Sequence, residues 1–151
     1  MPKFETRHPV VHTARQMYDL VADVEKYPEF LPLCDALTVR ARVPHGSAGE
    51  VLTCAMDVGY GPIRERFTSR VTLDPDALHI HSTYIDGPFR RMDNTWQFVD
   101  ISAGRSEVVF FIDYEFKSMM LQMLMGSMFD LAFRRFTAAF EERAKKVYGV
   151  G

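Results

Sequence analysis

Val108-Val109-Phe110-Phe111-Ile112-Asp113-Tyr114-Glu115-Phe116-Lys117-Ser118-Met119-Met120-Leu121-Gln122-Met123-Leu124-Met125-Gly126-Ser127-Met128-Phe129 is the stretch in which this 151-residue chain changes its periodicity. As far as Phe116 apolar side chains recur at every second position, the mark of a strand with one buried face. From Ser118 to Tyr148 the apolar positions Leu121, Met125, Met128, Phe129, Ala132, Phe136, Ala139, Phe140 and Val147 recur at helical spacing, and no proline intervenes. One long terminal helix following a strand is the reading.

Working back toward the N-terminus, six segments alternate with period two. They are separated by turn residues at Pro44 to Gly49, Gly59 to Pro62, Asp74 to Asp76, Asp86 to Pro88 and Asp100 to Arg105. Connections this short favour an antiparallel meander. Before them, a strand at about Lys3 to Val11 leads to Thr13, an N-cap for a helix with Met17, Tyr18, Leu20 and Val21 on one side and an end near Asp23. In Tyr27-Pro28-Glu29-Phe30-Leu31-Pro32 the first proline can open a short helix and the second closes it. The order is β, α, α, six β, long α, an α+β fold. A strongly curved seven-stranded sheet gripping the last helix buries both apolar faces. With no repeat or linker, residues 1–151 read as one domain.

Composition narrows the function. The formal net charge is −2, from 18 Lys and Arg against 20 Asp and Glu, so no global attraction to nucleic acid is expected. The N-terminus lacks the apolar stretch of a secretory signal and no run is long enough to span a bilayer, which points to the cytoplasm. Cys34 and Cys54 have neither paired nor metal-type spacing and read as free buried thiols. Gly-x-Ser-x-Gly, phosphate-binding glycine loops and His-Glu-x-x-His are all missing. No histidine is placed to activate Cys34, and His79 with His81 share one side of a strand without a third metal ligand. No metal and no required cofactor are assigned.

Polar residues on inward faces carry more information. Glu65, Ser69, Asn94 and Tyr114 fall among inward Phe67, Val71, Met92, Trp96, Phe98, Phe110 and Ile112, with Leu52, Cys54, Met56, Val58 and Tyr60 on a neighbouring strand. They either satisfy one another, backbone or water, or orient the polar head of a ligand in an apolar cavity. On the last helix, Met120, Met123, Leu124 and Leu131 fall on the side that later carries Arg134, Glu141 and Lys145. Core beneath loops, a ligand entrance or membrane contact, and a dimer interface are the alternatives. Arg40, Arg42, Arg64, Arg66 and Arg70 read as an outward basic face, interrupted by Asp57 and Asp93, that is either solvated or in contact with RNA or anionic headgroups.

Three motifs in order then resemble the coenzyme Q-binding family of START-like proteins, grouped with polyketide cyclases. They are Asp23-Val24-Glu25-Lys26-Tyr27-Pro28-Glu29-Phe30-Leu31-Pro32-Leu33-Cys34, then Asp86-Gly87-Pro88-Phe89-Arg90-Arg91 leading to Trp96-Gln97-Phe98, and Ala139-Phe140-Glu141-Glu142-Arg143-Ala144. The resemblance implies a helix-grip fold with a cavity between sheet and terminal helix. It also implies non-catalytic binding of ubiquinone or a related lipid in support of respiratory electron transfer; the leading reading is a cytoplasmic protein peripheral at the inner membrane. The bacterial ribosome-association toxin family is similar over the same motifs, which implies instead contact with the large ribosomal subunit and a block to subunit joining. A cyclase-type enzyme is a third reading and needs an acid or base beside a bound polyketide. No oligomeric state is implied.

The candidate ligand contacts are Tyr27, Phe30, Leu31, Met56, Glu65, Phe67, Ser69, Pro88, Phe89, Asn94, Trp96, Phe110, Tyr114, Leu121, Leu124, Met125 and Met128. A polyprenyl tail exceeds a cavity of roughly 300 to 1,000 Å³, so part of it must leave through an opening. The Met119 to Met128 surface and the Gly87-Pro88-Phe89 loop are the candidates for its rim.

Overall fold

Thr13 begins the first helix by a reciprocal cap: its hydroxyl accepts from the Gln16 amide at 3.1 Å while Gln16 Oε1 accepts from the Thr13 amide at 2.9 Å. A third orphan donor, the Ala14 amide, is taken by Asp100 Oδ1 at 2.9 Å, which ties the helix to the sheet. The computed structural model describes residues 3–46, 48–60 and 62–149, and the side chain of Tyr60 lies outside the described set. Its elements are β1 (Lys3–Val10), α1 (Ala14–Ala22), a 3-10 turn (Val24–Glu29), β2 (Cys34–His45), β3 (Gly49–Tyr60), β4 (Ile63–Asp74), β5 (His79–Asp86), β6 (Phe89–Ser102), β7 (Arg105–Phe116) and α2 (Met119–Tyr148).

The seven strands form one curved antiparallel sheet in the order β1-β7-β6-β5-β4-β3-β2, a meander whose last strand returns to pair with the first. Inward alternation matches the sequence on β4, β6 and β7, where Phe67, Ser69, Val71, Met92, Trp96, Phe98 and every second residue from Val108 to Phe116 are buried. α2 lies across the concave face, and its phenylalanines descend the sheet like stairs. Phe129 meets Phe89 at 5.6 Å between ring centroids, Phe133 meets Tyr114 at 5.1 Å, Phe136 meets Phe110 at 6.0 Å and Phe140 meets Trp96 at 5.2 Å. Each such side chain removed from water contributes about 1.5–3 kcal/mol, and a well-oriented ring pair about 0.5–1.5 kcal/mol more.

Two sequence expectations need correction here. Val147 is 52% exposed, because the last turn of α2 runs past the final buried layer at Phe140 and Ala144, while Phe133 and Thr137 are buried in the stripe instead. Arg42 does not share the outward face. A bulge between Val39 and Ala41 inserts a residue into β2, so Arg42 pairs in register with inward Leu52. From there it reaches Glu25 of the 3-10 turn at 2.8 Å and Glu50 at 3.4 Å.

Candidate functional site

Between the concave sheet and α2 the side chains leave a cavity. Its empty space totals about 880 Å³ counting the part open to solvent, and the cavity volume proper is about 90 Å³. The interior is therefore hollow and narrow. It is roofed by Phe129, Ala132, Phe133, Phe136 and Phe140 of α2, walled by Tyr27, Leu31, Pro32 and Leu33, and floored by inward residues of β2 to β7. Met56 and Met92 line it too, and methionine's three rotatable bonds let such walls adapt to a guest.

Eight of the sequence candidates line this space: Tyr27, Leu31, Met56, Phe67, Ser69, Asn94, Trp96 and Phe110. Ser82 was overlooked, although the alternation of buried Ile80 with His79 and His81 places it inward. Register sets Ser82 directly opposite Asn94, and opposite Val71 on the other side, two residues from Ser69. A short polar row thus crosses three strands of an otherwise apolar floor. Asn94 Nδ2 donates to the Phe111 carbonyl at 2.8 Å, which leaves its second N–H and its carbonyl oxygen for a guest. Among the described residues the hydroxyls of Ser69 and Ser82 have no hydrogen-bond partner.

The cavity lining holds no Asp, Glu, His, Lys or Arg among the described residues. Its titratable groups are Tyr27 and Cys54. Burial raises the Tyr27 phenol, whose hydroxyl donates to the Val21 carbonyl, and pushes the Cys54 thiol up to about 11. Both stay neutral at physiological pH.

The remaining candidates lie elsewhere. Glu65 is half-buried near the start of β4, where solvent is within reach, and not in the cavity. Tyr114 and Phe89 are core residues, packed with each other at 5.9 Å and with Phe116. The loop Gly87-Pro88-Phe89 is accordingly not a rim. Phe89 is 1% exposed, its amide donates to Tyr84 Oη at 3.1 Å, and the Lys117 amide closes on the Pro88 carbonyl at 2.9 Å. Phe30 packs on Phe140 at 5.2 Å with the Arg143 guanidinium over its ring. Met125 is buried, and Leu121 packs half-buried on the core.

Leu124 and Met128 line a second hollow with Ile63, Ser127, Leu131 and Arg135. This groove shares Pro32, Leu33 and Ala132 with the cavity, so one thin wall separates the two. Leu33 in that wall holds a left-handed backbone at φ 67°, which costs a non-glycine residue roughly 1–2 kcal/mol. Its carbonyl accepts from the Gly59 amide at 3.0 Å, and the sequence carried no signal for it.

On the outer face of the sheet the basic residues are largely neutralised. Arg66 is held by Asp57, Arg64 lies 3.6 Å from Asp35, and His81 bonds Asp93 at 2.8 Å. Arg66 keeps the Asp57 carboxyl below its ordinary range. Arg40 and Arg70 have no ion-pair partner among the described residues. No group of three His, Cys, Asp or Glu able to hold a metal occurs among them either.

Residues 10–141 match the family model described as polyketide cyclase / dehydrase and lipid transport. The chain belongs to this family. The ribosome association toxin RatA of Escherichia coli (strain K12) is 33% identical over 148 residues, 98% of this chain and 90% of its own. The coenzyme Q-binding protein COQ10 homolog B, mitochondrial, of Xenopus laevis is 33% identical over 139 residues, 89% of this chain and 54% of its own. A START superfamily protein from Mycobacterium smegmatis shares the fold, with TM-score 0.78 at 19% identity over 96% of this chain and 98% of that one. Family membership is compatible with both cyclase-type catalysis and lipid carriage.

Proposed function

We propose that this chain is a non-catalytic carrier that holds the ring and first isoprenoid units of ubiquinone, or a related quinone lipid, in the cavity under α2. It acts in the cytoplasm in support of respiratory electron transfer. The observation that carries the reading is the lining: aromatic and aliphatic walls, a row of three neutral polar side chains, and no charged group among the described residues. Quinone carbonyls only accept hydrogen bonds, and the Ser69 and Ser82 hydroxyls are donors in want of a partner. Buried methylenes of the tail contribute about 0.8 kcal/mol each. Cyclisation of a polyketide calls for an acid or base, and the two titratable groups here are held neutral and far from their working range. Kinship with the coenzyme Q-binding protein of Xenopus laevis supports the same reading.

Trp96, the only tryptophan, lines the cavity and reports on occupancy. Titration with a short-chain ubiquinone is expected to quench its emission saturably, with the same midpoint by calorimetry. Calorimetric binding with unchanged emission would place the guest elsewhere, and no binding by either method would refute the proposal.

A second reading is favoured by the relatives named as ribosome association toxins: contact with the large ribosomal subunit that blocks subunit joining. It would use the outer face of β4, where Arg70 lacks an acid partner among the described residues. Cosedimentation with ribosomes at low salt, lost on joint replacement of Arg64, Arg66 and Arg70 by alanine, is its test. Wild-type protein that stays in the supernatant at low salt would remove it.

A further inference from the structure

The outward side of α2 changes character along its length. Met119, Met120, Met123, Leu124 and Leu131 are 78%, 69%, 79%, 58% and 49% exposed, so this is not core beneath loops. Nothing on the same side of the first three turns is acidic, and Ser127 is the one polar exposed residue there. Cations stand at both ends. Lys117 and Arg90 precede the helix, the Arg90 guanidinium donating to the Lys117 carbonyl at 3.4 Å, and Arg134 and Arg135 follow the apolar patch. Asp130 is the only acid between residues 117 and 135, and it pairs with Arg134 at 3.0 Å. Three cations against one anion leave this stretch at 3 − 1 = +2 in a chain whose net charge is −2. Lys117 and Arg135 have no ion-pair partner among the described residues, whereas Arg64 and Arg66 on the sheet are paired. Among the described residues Arg40 and Arg70 on the sheet are unpaired as well, but around the exposed methionines the unpaired cations flank an apolar surface.

This patch also borders the groove at Leu124, Met128 and Leu131, which shares its inner wall with the cavity. From that continuity and the charge pattern we infer that the N-terminal half of α2 docks on an anionic lipid bilayer. Met119, Met120, Met123 and Leu124 enter the boundary between headgroups and acyl chains, and Lys117, Arg90 and Arg135 meet the lipid phosphates. The groove then faces the acyl region, and a lipid enters between α2 and the Pro32-Leu33 wall without crossing water. This inference deepens the carrier reading, since it names the surface from which the cavity is filled. α2 lies on the bilayer and does not cross it: no helix of the described residues is long and apolar enough to span a membrane.

The test is cosedimentation of the full chain with vesicles of phosphatidylcholine, with and without phosphatidylglycerol, at low salt. Wild-type protein is expected to pellet with the anionic vesicles and far less with the neutral ones. The pair Met120→Asp and Met123→Asp, at positions already in water, is expected to lower the partition coefficient by about tenfold or more. The pair Lys117→Ala and Arg135→Ala is expected to lower it by about fivefold per charge. Equal binding to both vesicle types, wild-type binding by the aspartate variant, or no binding at all overturns the inference. A dimer in sedimentation equilibrium that the same aspartates dissolve, without vesicle binding, assigns the patch to a second copy and overturns it too. Short-chain ubiquinone titrated into the aspartate variant separates the two readings. Quenching of Trp96 retained while vesicle docking fails leaves the cavity intact, whereas docking without quenching removes the cavity reading alone.

Discussion

Replacing Ser69 and Ser82 together by alanine should change folding and binding in opposite directions. The two hydroxyls line an apolar cavity without hydrogen-bond partners among the described residues, and Ser69 is only 8% exposed. An unsatisfied polar group in such a place costs about 1–3 kcal/mol, and incomplete burial keeps both sites at the lower end. Alanine removes that cost and leaves no space larger than an oxygen atom. The double variant should therefore be as stable as the wild type or more stable by about 1–2 kcal/mol, read as a higher urea midpoint at unchanged slope. If the hydroxyls donate to quinone carbonyls, the variant loses two neutral hydrogen bonds of about 0.5–1.5 kcal/mol each. Calorimetry with a short-chain ubiquinone should then show a dissociation constant raised about 5- to 150-fold. A variant destabilised by more than about 1 kcal/mol would show the hydroxyls to be structural. Unaltered affinity would show that the polar row does not read the ring.

Phe140→Ala removes the ring that Tyr27, Phe30 and Trp96 meet at 5.4, 5.2 and 5.2 Å. A loss of about 3–5 kcal/mol is expected, lowering the melting temperature by roughly 10 °C, and a shift under about 3 °C in calorimetry would contradict this packing. Gly87→Ala must place a methyl 2.5 Å from Phe67 Cβ at φ 143°, so it should cost more than about 2 kcal/mol in urea unfolding. A neutral result there would mean that the turn is free to rearrange. Burial lifts Cys34 to about 12 and Cys54 to about 11. Because these folded values lie above the unfolded thiol value of about 8.5, the associated stability is complete below that pH and is lost as pH rises toward 11 to 12. At pH 8.5 a disulfide reagent should accordingly react about a hundredfold faster in urea than with the native chain. Similar rates in both conditions would contradict burial of the thiols.

Much of the architecture was legible because hydrophobic period is a direct consequence of which face is buried. The switch after Phe116 separated sheet from helix, and alternation on β4 and β6 placed Ser69, Asn94 and Trp96 inside the cavity. Features that leave the pattern of apolar residues unchanged were hidden. The β2 bulge is one: an extra residue reverses the face of Arg42 while the sequence still reads as alternating. Phe89 is another, since a Gly-Pro-Phe turn looks like an exposed loop until five neighbouring rings are found to enclose it. The wall at Leu33 depends on a tertiary hydrogen bond to Gly59, which no local rule encodes.

That same irregularity in β2 bears on how readily the sheet could add a strand from another molecule. An open sheet has two borders, and each could template a strand from another molecule into a growing ribbon. Along one border lie two register shifts, the second at Arg40, and Pro44 has no amide hydrogen to offer. The opposite border, β1, sets charged Lys3, Glu5 and Arg7 beside Pro9, which has no amide hydrogen to offer. Both margins are therefore poor templates for an incoming strand, which lets the sheet stay unclosed at less risk of edge-to-edge pairing.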